Sequence, residues 1–463
     1  MKVPFLVIGG GLSGLAAAIR FARFEPGVLI LEKHSRIGGL NSYYYRNKRL
    51  IETGLHAITN FAPTQVKSAP LNRLFRQLKI KRKQLQTHEQ IGSEIYFLDR
   101  ERLCFSNDFE LLRSEIKQKF PAALNGFDTL VQTIRDHDPF QPAPFRSARK
   151  ILQDLLTDHL LTDMLLCPLM YYGSSLEDDM EFGQFVIMFR AIFLEGFFRP
   201  EGTIKDFLDL LQRHLESFGG QTRLNSQVKR ILHDHRHVTG VELASGETIH
   251  CDHILSTIGS EETLALLDQA GHENKTDRLG FIESIFLLQP SPATRLPRDK
   301  TIIFYHSGKS FHYRSPRDRS VDFDSGVICF PGNFQEMQPQ PLLEIRTTHL
   351  ADYGCWKKLS QDRQAYLEQK QAIANQSKET VEKIIGKFSA DIVFEDTFTP
   401  VTVERFTAKK DGAIYGSPHK IMDGDMGYDN LFLAGTDQGF LGIIGSMLSG
   451  VSMVNRHILP TLH

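Results

Sequence analysis

Hydrophobic and polar positions change period along this chain in an ordered way. Residues 5–8 (Phe-Leu-Val-Ile) form a short, wholly apolar run, the pattern of a strand buried on both faces. Six residues, Gly9-Gly10-Gly11-Leu12-Ser13-Gly14, follow at once, and residues 15–22, rich in Ala and Leu, predict a helix. Residues 28–31 (Val-Leu-Ile-Leu) are a second apolar strand ending in Glu32, and a hairpin is predicted over 43–51. Further on, an amphipathic helix is predicted over 204–218. Strands over 238–243 and 247–251 are joined by Ser245-Gly246, and residues 252–257 close that unit. Near the C-terminus an apolar strand leads into Gly435 and Asp437, and a helix opens at Gly442 and runs to about residue 458. The rest reads differently: one aliphatic helix over 148–166, a Phe-dense segment over 181–200 and a charged, solvated helix over 361–387.

The first strand–loop–helix–strand unit has a mechanical reading. Gly9 permits the tight turn out of the strand. Gly11 lets a pyrophosphate approach the backbone, and Gly14 lets the helix pack closely on the sheet, with Leu12 and Ser13 completing the loop. The helix N-terminus offers free N–H groups and a partial positive charge to the phosphates. Glu32 is placed to accept hydrogen bonds from the adenosine ribose, and its charge disfavours a 2′-phosphate. This G-x-G-x-x-G signal occurs once, which argues against a separate nicotinamide-nucleotide domain.

Composition narrows the partners. With 463 residues the chain is long enough for two domains. A formal net charge of −1 gives no electrostatic footprint for nucleic acid. Five scattered cysteines, without a CxxC pair, read as free thiols in a reducing, cytoplasmic compartment with no metal site. Lys2 followed by apolar residues 3–19 superficially resembles a signal peptide, but Gly9, Gly10, Gly11 and Gly14 would weaken that helix and no small-residue cleavage site follows. The 33 phenylalanines against a single tryptophan suit an apolar lining without polar tips, and equally a large core. The segment 181–200 is too interrupted to span a bilayer; a buried helix, a tunnel wall and a face dipping into the membrane all remain open for it.

After Glu32 comes Lys33-His34-Ser35-Arg36-Ile37-Gly38-Gly39-Leu40-Asn41. This resembles the extended FAD fingerprint of the amine-oxidase and phytoene-desaturase superfamily. The resemblance implies that Lys33, Arg36, Gly38, Gly39, Leu40 and Asn41 lie along the pyrophosphate and ribityl chain. It implies that Glu52-Thr53-Gly54-Leu55-His56 runs near the flavin, and that the backbone of Val228 contacts adenine. Gly435 and Asp437 are implied to meet the ribityl chain. The helix start at Gly442, Ile443 and Ile444 would face the pyrimidine end of the flavin. The fold class expected is α/β: a Rossmann-like FAD-binding domain (1–65, 201–260, 396–463) interleaved with an α+β substrate-binding domain (66–200, 261–395). No cysteine follows Cys355, so a C-terminal thioether to the flavin is excluded and FAD is expected to be non-covalent.

Residues 398–406 and Asp411-Gly412-Ala413-Ile414-Tyr415-Gly416 resemble the phytoene-desaturase-like branch, which includes retinol saturase and carotenoid isomerase. That implies an oxidoreductase acting on carbon–carbon bonds of an isoprenoid or polyene lipid, with hydride passing between substrate and flavin N5. His56, Tyr415 and Arg405 are the candidate catalytic groups. The expected partners are a hydrophobic lipid-like substrate, the inner face of a membrane as a peripheral contact, and oxygen or a quinone as electron acceptor. A saturase or isomerase, an amine oxidase, and a non-enzymatic prenyl-protein binder of the GDP-dissociation-inhibitor type are the alternatives.

Overall fold

The computed structural model describes the chain except residues 55, 140, 142, 268–277, 292–293 and 463, so Leu55 of the 52–56 segment lies outside the described residues. Two sheets organise it. In the first, strands Gln221–Arg223, Val28–Leu31, Lys2–Ile8, Thr248–Ser256 and Leu431–Leu433 lie side by side, all parallel. The register from Phe5↔Val28 to Ile8↔Leu31 makes the first two apolar strands end together, at Gly9 and Glu32. Alternate side chains take opposite faces. Phe5, Val7, Val28 and Ile30 pack with Leu15, Leu211 and Met447 of the helices Leu12–Ala22, Ile204–Ser217 and Gly442–Met453. Leu6, Ile8, Leu29 and Leu31 pack beneath the hairpin Val228–Asp234/His237–Leu243. Each such side chain contributes roughly 1.5–3 kcal/mol on burial. The result is the α/β, Rossmann-like fold class expected from the pattern.

The second sheet runs in the order Ile392–Phe398, Gly280–Leu288, Leu343–Ala351, Ser325–Cys329, Ile302–His306, Ser93–Phe97, Glu101–Phe105. Neighbours are antiparallel except Ile302–His306 beside Ser93–Phe97. The strand Ile392–Phe398 pairs with Gly280–Leu288 as far as Phe398↔Glu283, so the chain stays in this sheet past residue 396.

Three readings of the sequence change here. The aliphatic stretch 148–166 is two helices, Ala148–Leu156 and His159–Gly173: Thr157 turns left-handed (φ 54°) and Asp158 caps the second, accepting from Leu161 N–H at 2.9 Å. Continuous apolar spacing hides such a break. The helix Arg363–Ile385 is not simply solvated. Ile373, Ala374, Ser377, Val381 and Ile385 are buried, and Val381 and Ile385 pack on Phe286, Ile303, Ile328 and Ile345 of the sheet. The Phe-dense segment is a helix, Phe182–Phe189, a wider π-helical turn, Arg190–Leu194, and a strand, Phe198–Pro200. Its rings meet one another, with Phe182–Phe185 at 5.9 Å, Phe185–Phe189 at 5.8 Å and Phe189–Phe193 at 5.1 Å. They are at most 1% exposed, so these rings are core. Among the described residues no helix is long and apolar enough to cross a membrane.

Candidate cofactor and active site

The loop after the first strand is built around an opening. Gly9 has φ +104°, and a Cβ there would lie 2.6 Å from Thr257 Oγ1. At Gly14 a Cβ would lie 2.1 Å from the Gly9 carbonyl oxygen, which is the close helix–strand approach that only glycine allows. Gly11 is the reverse case, since a Cβ there would meet nothing within 4 Å. The helix it opens, Leu12–Ala22, has no side-chain cap and no acid in its first turn. Its first N–H groups are therefore left for a ligand.

The second glycine pair closes over the same opening. Gly38 N–H donates to Gly10 O at 2.8 Å, and the Cβ position of Gly39 is 3.4 Å from Gly11 Cα. Asn41 N–H donates to Gly38 O at 3.0 Å, with Leu40 in the same turn. Arg36 lies over the Tyr43 ring at 5.5 Å, and burial lowers the Lys33 ammonium from its ordinary range. Glu32 is nearly buried and accepts from Gly10 N–H and His34 N–H, both at 2.8 Å; a carboxylate has capacity for further donors. Ser226 N–H donates to Glu32 O at 2.8 Å, which brings Val228 to the Glu32 end of the cleft.

The C-terminal segment meets this loop from the other side. Gly435 (φ +99°) has its Cβ position 4.0 Å from the Ser13 side chain. The helix Gly442–Met453 crosses Leu12–Ala22 so closely that a Cβ at Gly450 would lie 2.1 Å from Ser13 O. This helix too lacks a side-chain cap, with Gly442 at φ +70° and Ile443 and Ile444 buried behind it. Asp437 is occupied inside the protein: it accepts from Ser260 N–H (2.7 Å), Ser260 O–H (2.9 Å) and Ser417 N–H (2.8 Å). Burial pushes its carboxyl up, but Lys409, Lys420 and those N–H donors outweigh burial and hold it down to about 2. Its neighbour Thr436 has a buried hydroxyl with no partner among the described residues, as does Ser13. Thr436 was missed in the sequence because the acid beside it drew the reading. Two uncapped helix starts, an open glycine, two orphaned hydroxyls and a terminal acid fit the phosphates and hydroxyls of FAD.

The candidate catalytic residues separate. His56 is brought to the second sheet, where its Nε2 lies 2.8 Å from Glu283 Oε2. Arg346 donates to Glu283 Oε1 at 2.9 Å and also pairs with Glu344. Burial pushes the Glu283 carboxyl up, and its contacts with His56 and Arg346 outweigh burial, so the group sits below its ordinary range. Tyr415 donates its O–H to Tyr171 O and packs edge-on against Phe281 at 5.6 Å. Burial pushes its phenol up, so it stays neutral. Lys420 donates to Tyr415 O at 2.7 Å, and burial brings that ammonium down to about 8. Arg405 is exposed, with its guanidinium 5.5 Å from the Phe406 ring; the structure does not bring it together with His56 and Tyr415. Glu283 carried a signal that was available. It is the one charge in the largely apolar strand Gly280–Leu288, whereas Arg346 lies in the mixed strand Leu343–Ala351 and stands out by its burial; a buried charge needs a partner.

Comparison with known proteins agrees with this geometry. The sequence is 24% identical to a 4,4'-diaponeurosporene oxygenase of Staphylococcus aureus, across 90% of this chain and 88% of that protein. It is 22% identical to an all-trans-retinol 13,14-reductase of Danio rerio, across 98% and 86%. An oxidoreductase from Methanosarcina mazei shares the fold with a TM-score of 0.67 at 16% identity, covering 98% of this chain and all of that one. Putrescine oxidase does so at 0.63 and 14%, with both chains fully covered. Residues 12–280, more than half of the chain, match the family described as flavin containing amine oxidoreductase. The FAD-shaped cleft and this match lead to one conclusion: the chain belongs to the flavin-containing amine oxidoreductases.

Proposed function

We propose that this FAD-dependent oxidoreductase adds or removes hydrogen across a carbon–carbon bond of a polyene lipid. The observation that carries the reading is the near end-to-end similarity to two proteins whose names place them on a carotenoid and on retinol. In this reading residues 1–65, 201–260 and 396–463 hold the cofactor and 66–200 with 261–395 hold the substrate. The flavin, bound non-covalently, supplies two-electron hydride chemistry. The protein's own residues do the rest. Gly11, Gly39 and the uncapped start of Leu12–Ala22 bind the phosphates, and the uncapped start at Gly442 faces the pyrimidine end of the flavin. Glu32 and Val228 hold the adenosine. Ser13 and Thr436 offer hydroxyls to the chain between. Buried Tyr171 and Phe281, with partly buried Tyr172 and Tyr415 packed on them, form an aromatic wall that excludes water and positions an apolar edge. The electron acceptor would be oxygen or a quinone, and the lipid would reach the site from a membrane surface.

The test is anaerobic mixing of purified holoprotein with C20, C30 and C40 polyenes while flavin absorbance is followed. Bleaching on mixing with the oxidised form indicates desaturation, and recovery of colour in pre-reduced protein indicates saturation. Bleaching by putrescine with no response to any polyene would sink the reading in favour of amine oxidation. Protein purified without flavin would favour the prenyl-binding alternative.

A further inference from the structure

We propose that His56 is the group that takes up or gives back the substrate proton, and that Glu283 is its positioning residue, itself held by Arg346. The inference rests on the polyene reading above and adds the acid–base half of the reaction to it.

Three observations carry it. The first is orientation. Glu283 Oε2 lies 2.8 Å from His56 Nε2, and an ionised carboxylate can only accept. Nε2 therefore carries the ring proton, and the lone pair of the neutral imidazole is on Nδ1. The second is availability. His56 Nδ1 is buried with no hydrogen-bond partner among the described residues. An unpartnered buried nitrogen is unfavourable unless a ligand or a proton uses it. The third is placement. His56 N–H donates to Gly54 O at 3.2 Å. The Cβ position of Gly54 lies 2.6 Å from Asn41 Oδ1 and 2.8 Å from Leu40 O. The imidazole thus hangs from the loop that closes the cofactor cleft, while its carboxylate comes from the second sheet. A base oriented by a third group is the usual arrangement for proton transfer.

The remaining charges around it are accounted for. Arg346 faces Glu283 and also pairs with Glu344. Arg199 approaches the His56 carbonyl at 3.5 Å and pairs with Glu52. The phenol of Tyr172 and the thiol of Cys329 lie in the field of Glu283 and stay neutral, both raised by burial. Desaturation removes a hydride from one carbon, for which the flavin would be the acceptor when bound. The neighbouring carbon loses its proton to Nδ1, and the electron pair of that C–H bond becomes the new double bond. The imidazolium formed is stabilised by the Glu283 carboxylate. Saturation runs the same transfers in reverse.

The experiment uses FAD-loaded wild type, His56→Gln and Glu283→Gln. Nitrogen and carbon NMR of histidine-labelled holoprotein, with the His56 signals identified by their loss in His56→Gln, reads the tautomer directly. The expected result is the Nε2–H form, with a titration midpoint that moves to lower pH by about one unit or more in Glu283→Gln, where the imidazolium loses its counter-ion. An Nδ1–H tautomer, or a midpoint unmoved by Glu283→Gln, overturns the proposal. Single-turnover flavin reduction by the active polyene should fall by about 100-fold or more in His56→Gln. FAD affinity should be unchanged, and the acid limb of the rate profile should move with the NMR midpoint in Glu283→Gln. A wild-type rate in His56→Gln overturns the proposal as well. If no polyene exchanges electrons with wild-type flavin, the substrate reading falls, and the tautomer and midpoint still decide the His56–Glu283 relay.

Discussion

Gly11 and Gly14 sit in one loop, yet a methyl group added to each would meet opposite surroundings. At Gly14 it would lie 2.1 Å from a backbone carbonyl, whereas at Gly11 it would lie in open space, on a residue with ordinary extended geometry (φ −73°, ψ 176°). Gly14→Ala should therefore lower stability by roughly 1–3 kcal/mol through overpacking. Gly11→Ala should leave the melting temperature of the flavin-free protein unchanged and weaken FAD binding at least tenfold. Calorimetry with fluorescence titration of FAD checks both, and tight FAD binding by Gly11→Ala would contradict the cradle. Asp437 belongs to the same scale. Its carboxyl is held down to about 2 in the fold, against about 3.9 in an unfolded chain. Stability from this group is thus fully present above about pH 4 and lost as pH falls towards 2. Asp437→Asn should cost roughly 2–3 kcal/mol at neutral pH, and urea titrations should show the gap to wild type closing below pH 4. A gap that persists at low pH would place the effect in packing instead.

Elements show where periodicity stops being informative. The helix Phe182–Phe189 does not simply end: it widens into the π-helical turn Arg190–Leu194, which delivers Glu195 to Asn60, whose side-chain N–H donates to it at 2.7 Å. Burial pushes the Glu195 carboxyl up to about 7, against the opposing effects of Asn60 and Arg190. The sign is the reverse of Asp437. The fold holds a proton that the unfolded chain releases near pH 4.3, so this contribution is present at low pH and is lost as pH rises through 7. Glu195→Gln keeps the hydrogen-bonding shape without the charge. It should match wild type near pH 4 and exceed it by a few kcal/mol at pH 8, as read by denaturant unfolding at the two pH values. The Phe spacing predicted a helix here; the turn and its acid depend on Asn60, which arrives from a distant part of the chain.

At the scale of the whole molecule the chain crosses between the two sheets several times, and His56–Glu283 and Tyr44–Asp396 tie early residues to the second sheet. Two halves joined by several passes and by partly buried hydrogen bonds should unfold as one unit. The single tryptophan makes this measurable. Trp356 is fully buried, donates to Ser320 O at 3.1 Å and meets Tyr366 edge-on at 5.7 Å. Its emission reports the second sheet's side, and release of flavin reports the first. The two thermal transitions of the holoprotein should coincide within about 2 °C. A flavin released well before tryptophan exposure would indicate independent lobes.

The nucleotide unit was legible in residues 1–41 because its determinants are local. An apolar run, a glycine at a positive φ, a helix start and an acid at the end of the next strand act through neighbouring backbone, so their order in the chain is their order in space. The parallel pairing of Thr248–Ser256 with Lys2–Ile8, and of Leu431–Leu433 with it, left only an apolar pattern to read. Other features depend on groups far apart in sequence. The break at Thr157, the buried face of Arg363–Ile385, the occupied state of Asp437 and the exposure of Arg405 follow from what packs against each. Glu283 is a single charge in a largely apolar strand, but nothing local says that it meets His56 and Arg346. The sequence by itself determined the dinucleotide-binding loop and the kind of cofactor. Tertiary structure alone decided which groups line the cleft and which nitrogen of His56 has no partner among the described residues, because a buried polar group takes its role from partners that only folding brings within hydrogen-bonding distance.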